Sequence, residues 1–363
     1  MDEIKKFIEC LLPVTACNLR CSYCYIIQEG RRKSELPKLK YSPEHIGKAL
    51  NKKRLGGTCY FSICGAGETL IPIESIQIVK AILDQGHFVN VTTNGTLTHR
   101  FEEIITWPKE TLERLQFAFS FHYLELLRFN KLEEFFNNIN KVRQAGCSFI
   151  VQINLCDEYV PYLEEIKKLC MEHVGALPHV AATRDEMASE IKLMTKYTKE
   201  EYYNLAKSFN SKLFDFTMKN FMVKRKEFCY AGEWAFALDL GSGILKQCYF
   251  QNELQNIFED IDKPIKTRAV GKKCRNAFCT NSSHFMSLGV IPSIKTPSYY
   301  DLRKRDGADW YNLRMAKFVN GRLYDNNKQY STIKKYRIIL SDEVVYGLKQ
   351  IKHKLSVLRG KNE

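Results

Sequence analysis

Short apolar runs alternate with longer amphipathic stretches along the first half of the chain. Residues 7–16 (FIECLLPVTA) read as a buried strand, and similar runs follow at 58–64, 87–93, 115–121, 148–155 and 177–183. Between them, 43–54, 73–85, 99–105, 131–145 and 160–173 carry helical spacing of their apolar positions. Strand and helix alternate about every 30 residues, which predicts parallel strands joined by helical crossovers. Six such units make most of a closed barrel, so the expected fold is α/β: a partial (β/α)6 TIM-like barrel over residues 1–184. In such barrels, chemistry sits at the C-terminal ends of the strands.

The pattern then changes. Residues 185–226 are polar and Lys-rich and read as a helical connector. Residues 227–290 mix short strands and Gly turns and predict a small α+β unit. Residues 291–363 predict a basic helical extension with an amphipathic helix near 342–357.

Composition narrows the class. Hydrophobic residues make up 45% of the chain and aromatics 12%, enough for a proper core. No run of 18 apolar residues occurs, and the opening Met-Asp-Glu-Ile-Lys-Lys is no signal peptide. No membrane association is expected, and a cytoplasmic location is. The formal charge is +14; from residue 295 onward, 16 Lys and Arg face 7 Asp and Glu. Such a surface attracts phosphates, nucleic acid or acidic peptides, or only keeps the protein in solution. No nucleic-acid motif accompanies the charge, so nucleic acid is not expected as a partner.

Thirteen cysteines, an odd number without a signal peptide, argue against a disulfide framework. Cys10, Cys59, Cys64, Cys147, Cys156 and Cys170 lie in apolar surroundings and read as small buried hydrophobes. The remaining seven fall into two groups.

The first group reads Cys17-Asn-Leu-Arg-Cys21-Ser-Tyr23-Cys24. Three thiolates in one loop can wrap one iron–sulfur cube. A cube with four irons and three thiolates leaves one iron open for another ligand. By spacing alone, a structural zinc site remains open. Three more motifs fall at predicted strand ends: Gly65-Ala66-Gly67-Glu68-Thr69-Leu70, Thr92-Thr93-Asn94-Gly95-Thr96-Leu97, and Phe119-Ser120-Phe121-His122.

Together these motifs resemble the radical S-adenosylmethionine superfamily. The resemblance implies that Cys17, Cys21 and Cys24 are the catalytic residues and hold a 4Fe–4S cluster that binds S-adenosylmethionine. It implies reductive cleavage to a 5′-deoxyadenosyl radical that abstracts hydrogen from a substrate. Gly65, Ala66, Gly67 and Glu68 would hold the methionyl ammonium, although Ala66 and Thr69 stand where the family has Gly and Pro. Asn94 would mark the third strand end, Ser120 would contact the ribose, Asn154 the adenosine and Arg184 the carboxylate. Tyr23 would present its backbone to the adenine.

In the second group, Cys229 is followed by 13 residues, Gly243, four residues and Cys248; Cys274 and Cys279 come next. This resembles the SPASM and twitch extensions of the same superfamily. It implies one auxiliary 4Fe–4S cluster on Cys229, Cys248, Cys274 and Cys279. A structural zinc site with four cysteine ligands, or no metal, are the alternatives. Sulfatase-maturing relatives carry an Asp after the second hairpin cysteine. Here Tyr249 stands there, which argues against formylglycine formation. Tyr249, Tyr230, Asp239, Glu233 and His284 are acid/base candidates.

The expected activity is a radical oxidoreductase that modifies a peptide or protein side chain, fed by a reductant such as flavodoxin or ferredoxin. A dehydrogenase or epimerase of a sugar, aminocyclitol or nucleotide-linked metabolite is the second expectation. A non-catalytic iron–sulfur or zinc protein that binds nucleic acid is the third.

Overall fold

The structure is a computed structural model. It describes residues 2–188, 191–272, 274, 276, 278–341 and 344. The helix expected near 342–357 lies outside the described residues.

The six predicted strands form as β1 (Lys6–Leu12), β2 (Cys59–Gly65), β3 (Phe88–Thr93), β4 (Leu115–Ser120), β5 (Ser148–Leu155) and β6 (His179–Ala182). Neighbours pair in parallel in sequence order. This is the partial TIM-like barrel the pattern predicts. β1 is shorter than the apolar run, because Pro13 cannot donate to the ladder and Val14 N–H turns back onto the Leu12 carbonyl at 2.8 Å. The helix expected at 43–54 is two pieces, Pro43–Ala49 and Lys52–Leu55. They are separated where Asn51 accepts from Arg54 N–H and caps the second.

Alternation along each strand divides the core. Ile8, Cys10 and Leu12, with Phe61, Ile63, Val89, Val91, Phe117 and Phe119, belong to one buried cluster with the crossover helices. Phe7, Tyr60 and Phe88 belong to a second cluster, supplied largely by residues beyond 213. On the same strand faces stand Glu9, Ser62, Asn90 and Gln116, all buried.

Two short strands, β7 (Arg184–Asp185) and β8 (Lys192–Leu193), pair with each other. Then β9 (Ala235–Asp239) joins the barrel sheet in parallel with β1, followed by β10 (Ile244–Lys246) and β11 (Glu253–Asn256) as an antiparallel ribbon. One nine-stranded sheet thus runs in the order β11-β10-β9-β1-β2-β3-β4-β5-β6. It crosses the boundary expected at 227. The basic extension has a structural role up to residue 341. Phe149 N–H donates to the Trp310 carbonyl at 2.8 Å, and Asn312 Nδ2 donates to the carbonyls of Glu113 and Gly146. Asn326 and Asn327 reach the carbonyls of Ile4 and Lys5. All these partners lie at or just before strand starts, so residues 310–327 cap the barrel end opposite the cysteine loop. No described helix is long and apolar enough to cross a membrane.

Candidate active site

The loop after β1 carries Cys17, Cys21 and Cys24 across the strand ends. It is held by backbone. Gly67 N–H donates to the Val14 carbonyl at 2.6 Å and Glu68 N–H to the Ala16 carbonyl at 2.8 Å. A Cβ on Gly67 would sit 2.1 Å from the Ala16 oxygen, so only glycine permits this approach. The Gly65-Ala66-Gly67-Glu68 segment therefore docks directly on the residues leading into Cys17.

A cavity of about 260 Å³ opens above this joint. Its wall contains every residue expected in the S-adenosylmethionine site: Cys17, Cys21, Tyr23, Cys24, Gly65, Ala66, Gly67, Glu68, Asn94, Ser120, Asn154 and Arg184.

Glu68 is buried. Its Oε1 accepts from Leu70 N–H at 3.0 Å and Thr93 Oγ1 at 2.7 Å, and its Oε2 from Asn94 N–H at 2.7 Å. Burial pushes its carboxyl up, and these three donors pull it back down. A carboxylate has about four lone-pair sites, so one acceptor position remains for an ammonium. Asn94 is occupied: its amide donates to Asn18 at 2.7 Å and its oxygen accepts from Thr96 Oγ1 at 2.7 Å. The same amide stands 3.9 Å from Cys17 Sγ and ties the cysteine loop to β3. Arg184 is paired with Glu186 at 3.0 Å.

Burial pushes Cys17 up to about 11, with the Leu19 N–H and the Arg32 guanidinium pulling it down. Burial pushes Cys21 higher still. Thiols that burial keeps protonated on a cavity wall become thiolate ligands when a bound cation displaces the proton. Arg32 also donates to the Cys17 carbonyl at 2.5 Å.

Several wall residues were not singled out from the sequence. His122 Nδ1 lies 2.7 Å from the Tyr23 hydroxyl, which lies 3.1 Å from that of Tyr159. Burial holds the His122 imidazole neutral, down to about 4. Its place in Phe-Ser-Phe-His after β4 was the available signal. Arg32 and Thr183 carried none.

Cys229, Cys248, Cys274 and Cys279 are also free and half-buried, and pack on the second core cluster. Burial is the main cause of the raised Cys229 and Cys279 thiols, and the other cysteines of the group raise them further. Cys229 pairs with Gly271 through reciprocal backbone bonds of 3.0 Å, which brings the chain around 271 back beside it. Among the described residues, no three His, Cys, Asp or Glu side chains converge on one shared ion.

Of the acid/base candidates, three are structural. Asp239 caps the turn at Gly241 and Ser242, Glu233 accepts from Tyr330, and Tyr230 stacks on Trp234 at 3.7 Å. Tyr249 and His284 instead converge on Glu9, a buried carboxylate on β1. Its Oε2 lies 2.8 Å from His284 Nδ1 and accepts from Asn281 at 2.9 Å, and Asn281 Nδ2 also lies 3.2 Å from the Tyr249 hydroxyl. A lone carboxylate inside FIECLL was the signal for Glu9.

A second cavity, of about 300 Å³, adjoins the first. The two share Asn154, Ala182 and Arg184, and the far wall of the second carries Cys279, Asn281 and His284.

Residues 11–170 match the family model described as the Radical SAM superfamily. No curated protein matches the chain. Among solved structures, Streptococcus suis SuiB bound to S-adenosylmethionine is similar at TM-score 0.51 and 15% identity, covering 71% of this chain and 65% of that one. SuiB bound to the precursor peptide SuiA is similar at TM-score 0.50 and 16% identity, covering 72% and 64%. anSMEcpe with bound AdoMet is similar at TM-score 0.48 and 13% identity, covering 70% and 79%. The chain thus spans about 65% of the length of SuiB. The chain shares its fold with SuiB.

Proposed function

We propose that this protein is a radical S-adenosylmethionine oxidoreductase that oxidises a peptide or protein side chain lodged between its two cysteine groups. The observation that carries this reading is the pair of adjoining cavities: Asn154, Ala182 and Arg184 belong to both, and Cys279 lines the second. A substrate in the second cavity would lie between a radical source and an electron acceptor.

Cys17, Cys21 and Cys24 would hold the first 4Fe–4S cluster, which when reduced supplies the electron for cleaving S-adenosylmethionine. Glu68 would take the ammonium at its spare acceptor position, and Arg184 the carboxylate. Ser120, Asn154 and the Tyr23 backbone would position the nucleoside, with Gly65, Ala66 and Gly67 giving close approach. Asn94 would act through the loop it anchors. Cys229, Cys248, Cys274 and Cys279 would hold one auxiliary 4Fe–4S cluster. A flavodoxin- or ferredoxin-type reductant would feed the first. The proposed divisions of the chain are 1–184, 185–226, 227–290 and 291–363.

SuiB, which shares the fold, binds a precursor peptide, and that supports a peptide substrate. The polar wall of the second cavity, with Gln152, Asn281 and His284, favours the other reading, a small sugar, aminocyclitol or nucleotide-linked metabolite.

The test is 5′-deoxyadenosine formation by the reconstituted full chain. Failure of the wild type to cleave S-adenosylmethionine overturns the class. Deuterium transfer from labelled peptides, or from labelled sugars, into 5′-deoxyadenosine decides between the two substrates.

A further inference from the structure

The second cavity contains a cation that the fold does not neutralise. Arg303 ends the helix Tyr299–Arg303 and lines this cavity, yet it is only 2% exposed. Its Nη1 donates to the Ser283 carbonyl at 3.0 Å and lies 3.5 Å from the Tyr299 carbonyl. Its guanidinium carbon stands 3.6 Å from the centre of the Tyr299 ring. Its Nε has no partner among the described residues. Among the described residues no carboxylate pairs with it; the nearby carboxylate, Glu9, is engaged by His284, Asn281 and Ser62.

A fully buried arginine without a carboxylate is rare, because taking a guanidinium out of water costs several kcal/mol. A π face and two carbonyls offset part of that cost. They engage one nitrogen and one face of the group. Among the described residues, Nε, itself buried, and Nη2, the edge of a guanidinium that binds carboxylate or phosphate through two parallel hydrogen bonds, have no protein acceptor.

Arg305, two residues on, shows what a purely structural arginine looks like here. Its Nε is also unpartnered, but Nη1 donates to the carbonyls of Phe209 and Asn210 and Nη2 to that of Pro178 at 2.6 Å. It lines neither cavity.

We propose that the second cavity is a substrate subsite that takes an oxyanion, carboxylate or phosphate, on the free edge of Arg303. Around it, Asn281, Thr217 and Gln152 offer further polar contacts, while Phe221 and Phe278 supply an apolar wall. The substrate is therefore an acidic molecule: a peptide presenting an Asp, Glu or C-terminal carboxylate, or a phosphorylated metabolite. The anion would dock at Arg303 and the carbon to be oxidised would reach back past Asn154 and Arg184 into the first cavity. This rests on the reading above only in naming the anion a substrate group.

The experiment uses the reconstituted full chain and two probes, acetate and inorganic phosphate, each titrated against chloride at equal ionic strength. Calorimetric binding and the thermal midpoint are both read. The wild type is expected to bind at least one probe beyond the chloride control. Response to acetate alone assigns a carboxylate, and response to phosphate alone a phosphoryl group. Arg303→Met is expected to weaken binding by at least about tenfold, ~1.4 kcal/mol. Arg303→Lys, which keeps the charge but not the fork, is expected to recover part of it. Arg305→Lys is expected to stay within about twofold of the wild type. The proposal is overturned if the wild type binds neither probe beyond chloride, or if Arg303→Met binds as well as the wild type. Should Arg303→Met fail to fold, Arg303→Lys decides, since binding equal to the wild type removes the bidentate contact. Formation of 5′-deoxyadenosine by the same wild-type preparation separately reads the enzyme class.

Discussion

The two cysteine groups are built in opposite ways. Cys17, Cys21 and Cys24 share one loop, and their spacing alone brings them together. That loop is fixed by two backbone hydrogen bonds from Gly67 and Glu68 and by the Asn94 amide. Cys229, Cys248, Cys274 and Cys279 come from separate segments. They come close enough to raise one another's thiols through distant packing, where β9 adds to β1 and Cys229 pairs with Gly271. The difference shows where each group is vulnerable: the first to its own residues and its glycine joint, the second to distant packing.

Removing a ligand is the strongest way to break the comparison. Cys24→Ala is expected to abolish 5′-deoxyadenosine formation, a loss of at least about a thousandfold, or ~4 kcal/mol of barrier. Cleavage at the wild-type rate would sink the assignment of the first group.

Counting metal sharpens it. Two 4Fe–4S clusters give about eight irons and eight sulfides per chain. Cys279→Ser is expected to lower both to about four and to stop substrate oxidation. A wild-type count already near four removes the auxiliary cluster.

Gly67→Ala tests the joint without touching a ligand. The new methyl would meet backbone oxygen at 2.1 Å, and backbone cannot swing aside. The expected cost is about 1–3 kcal/mol in a denaturant melt, with iron lost from the first group and retained in the second. Equal loss from both would show that the two ends are not independent.

The smallest effect separates acid loss of the fold from acid loss of the clusters. His87 is buried outside both groups; its Nδ1 accepts from Cys59 N–H at 3.0 Å and its Nε2 lies 2.7 Å from the Leu50 carbonyl. This arrangement satisfies the neutral ring, and burial holds it down to about 4 against an ordinary 6.5. The folded state therefore binds fewer protons than the unfolded one between these values. The stability it contributes is complete above about pH 6.5 and is lost as pH falls toward 4. His87→Gln is expected to flatten this acid limb in pH-dependent thermal melts. An unchanged limb would place the acid sensitivity elsewhere.

Much of the barrel was legible. Each of the six strands overlaps its apolar run, because a strand covered on both faces must be apolar almost throughout. Boundaries moved where local chemistry intervened, as at Pro13 and Asn51. Glu9 shows the limit: inside FIECLL it reads as one polar residue in a buried strand. Only the pairing of β1 with β2 and the approach of residues 281–284 make it the centre of a buried polar cluster.

By itself, the sequence determined the cysteine loop, the glycine segment that meets it, and the succession of strand ends on which the first cavity stands. Those features depend on neighbours a few residues apart, where chain geometry leaves few choices. Tertiary structure alone decided that β9 extends the barrel sheet, that residues 310–327 cap its far end, and that Arg303 is buried on the cavity Cys279 also lines, with no carboxylate paired to it among the described residues. Each of these joins segments far apart in the chain, as when Asn326 reaches the Ile4 carbonyl. Such contacts form because unlike surfaces bury one another, and no local pattern records which surface a segment will meet.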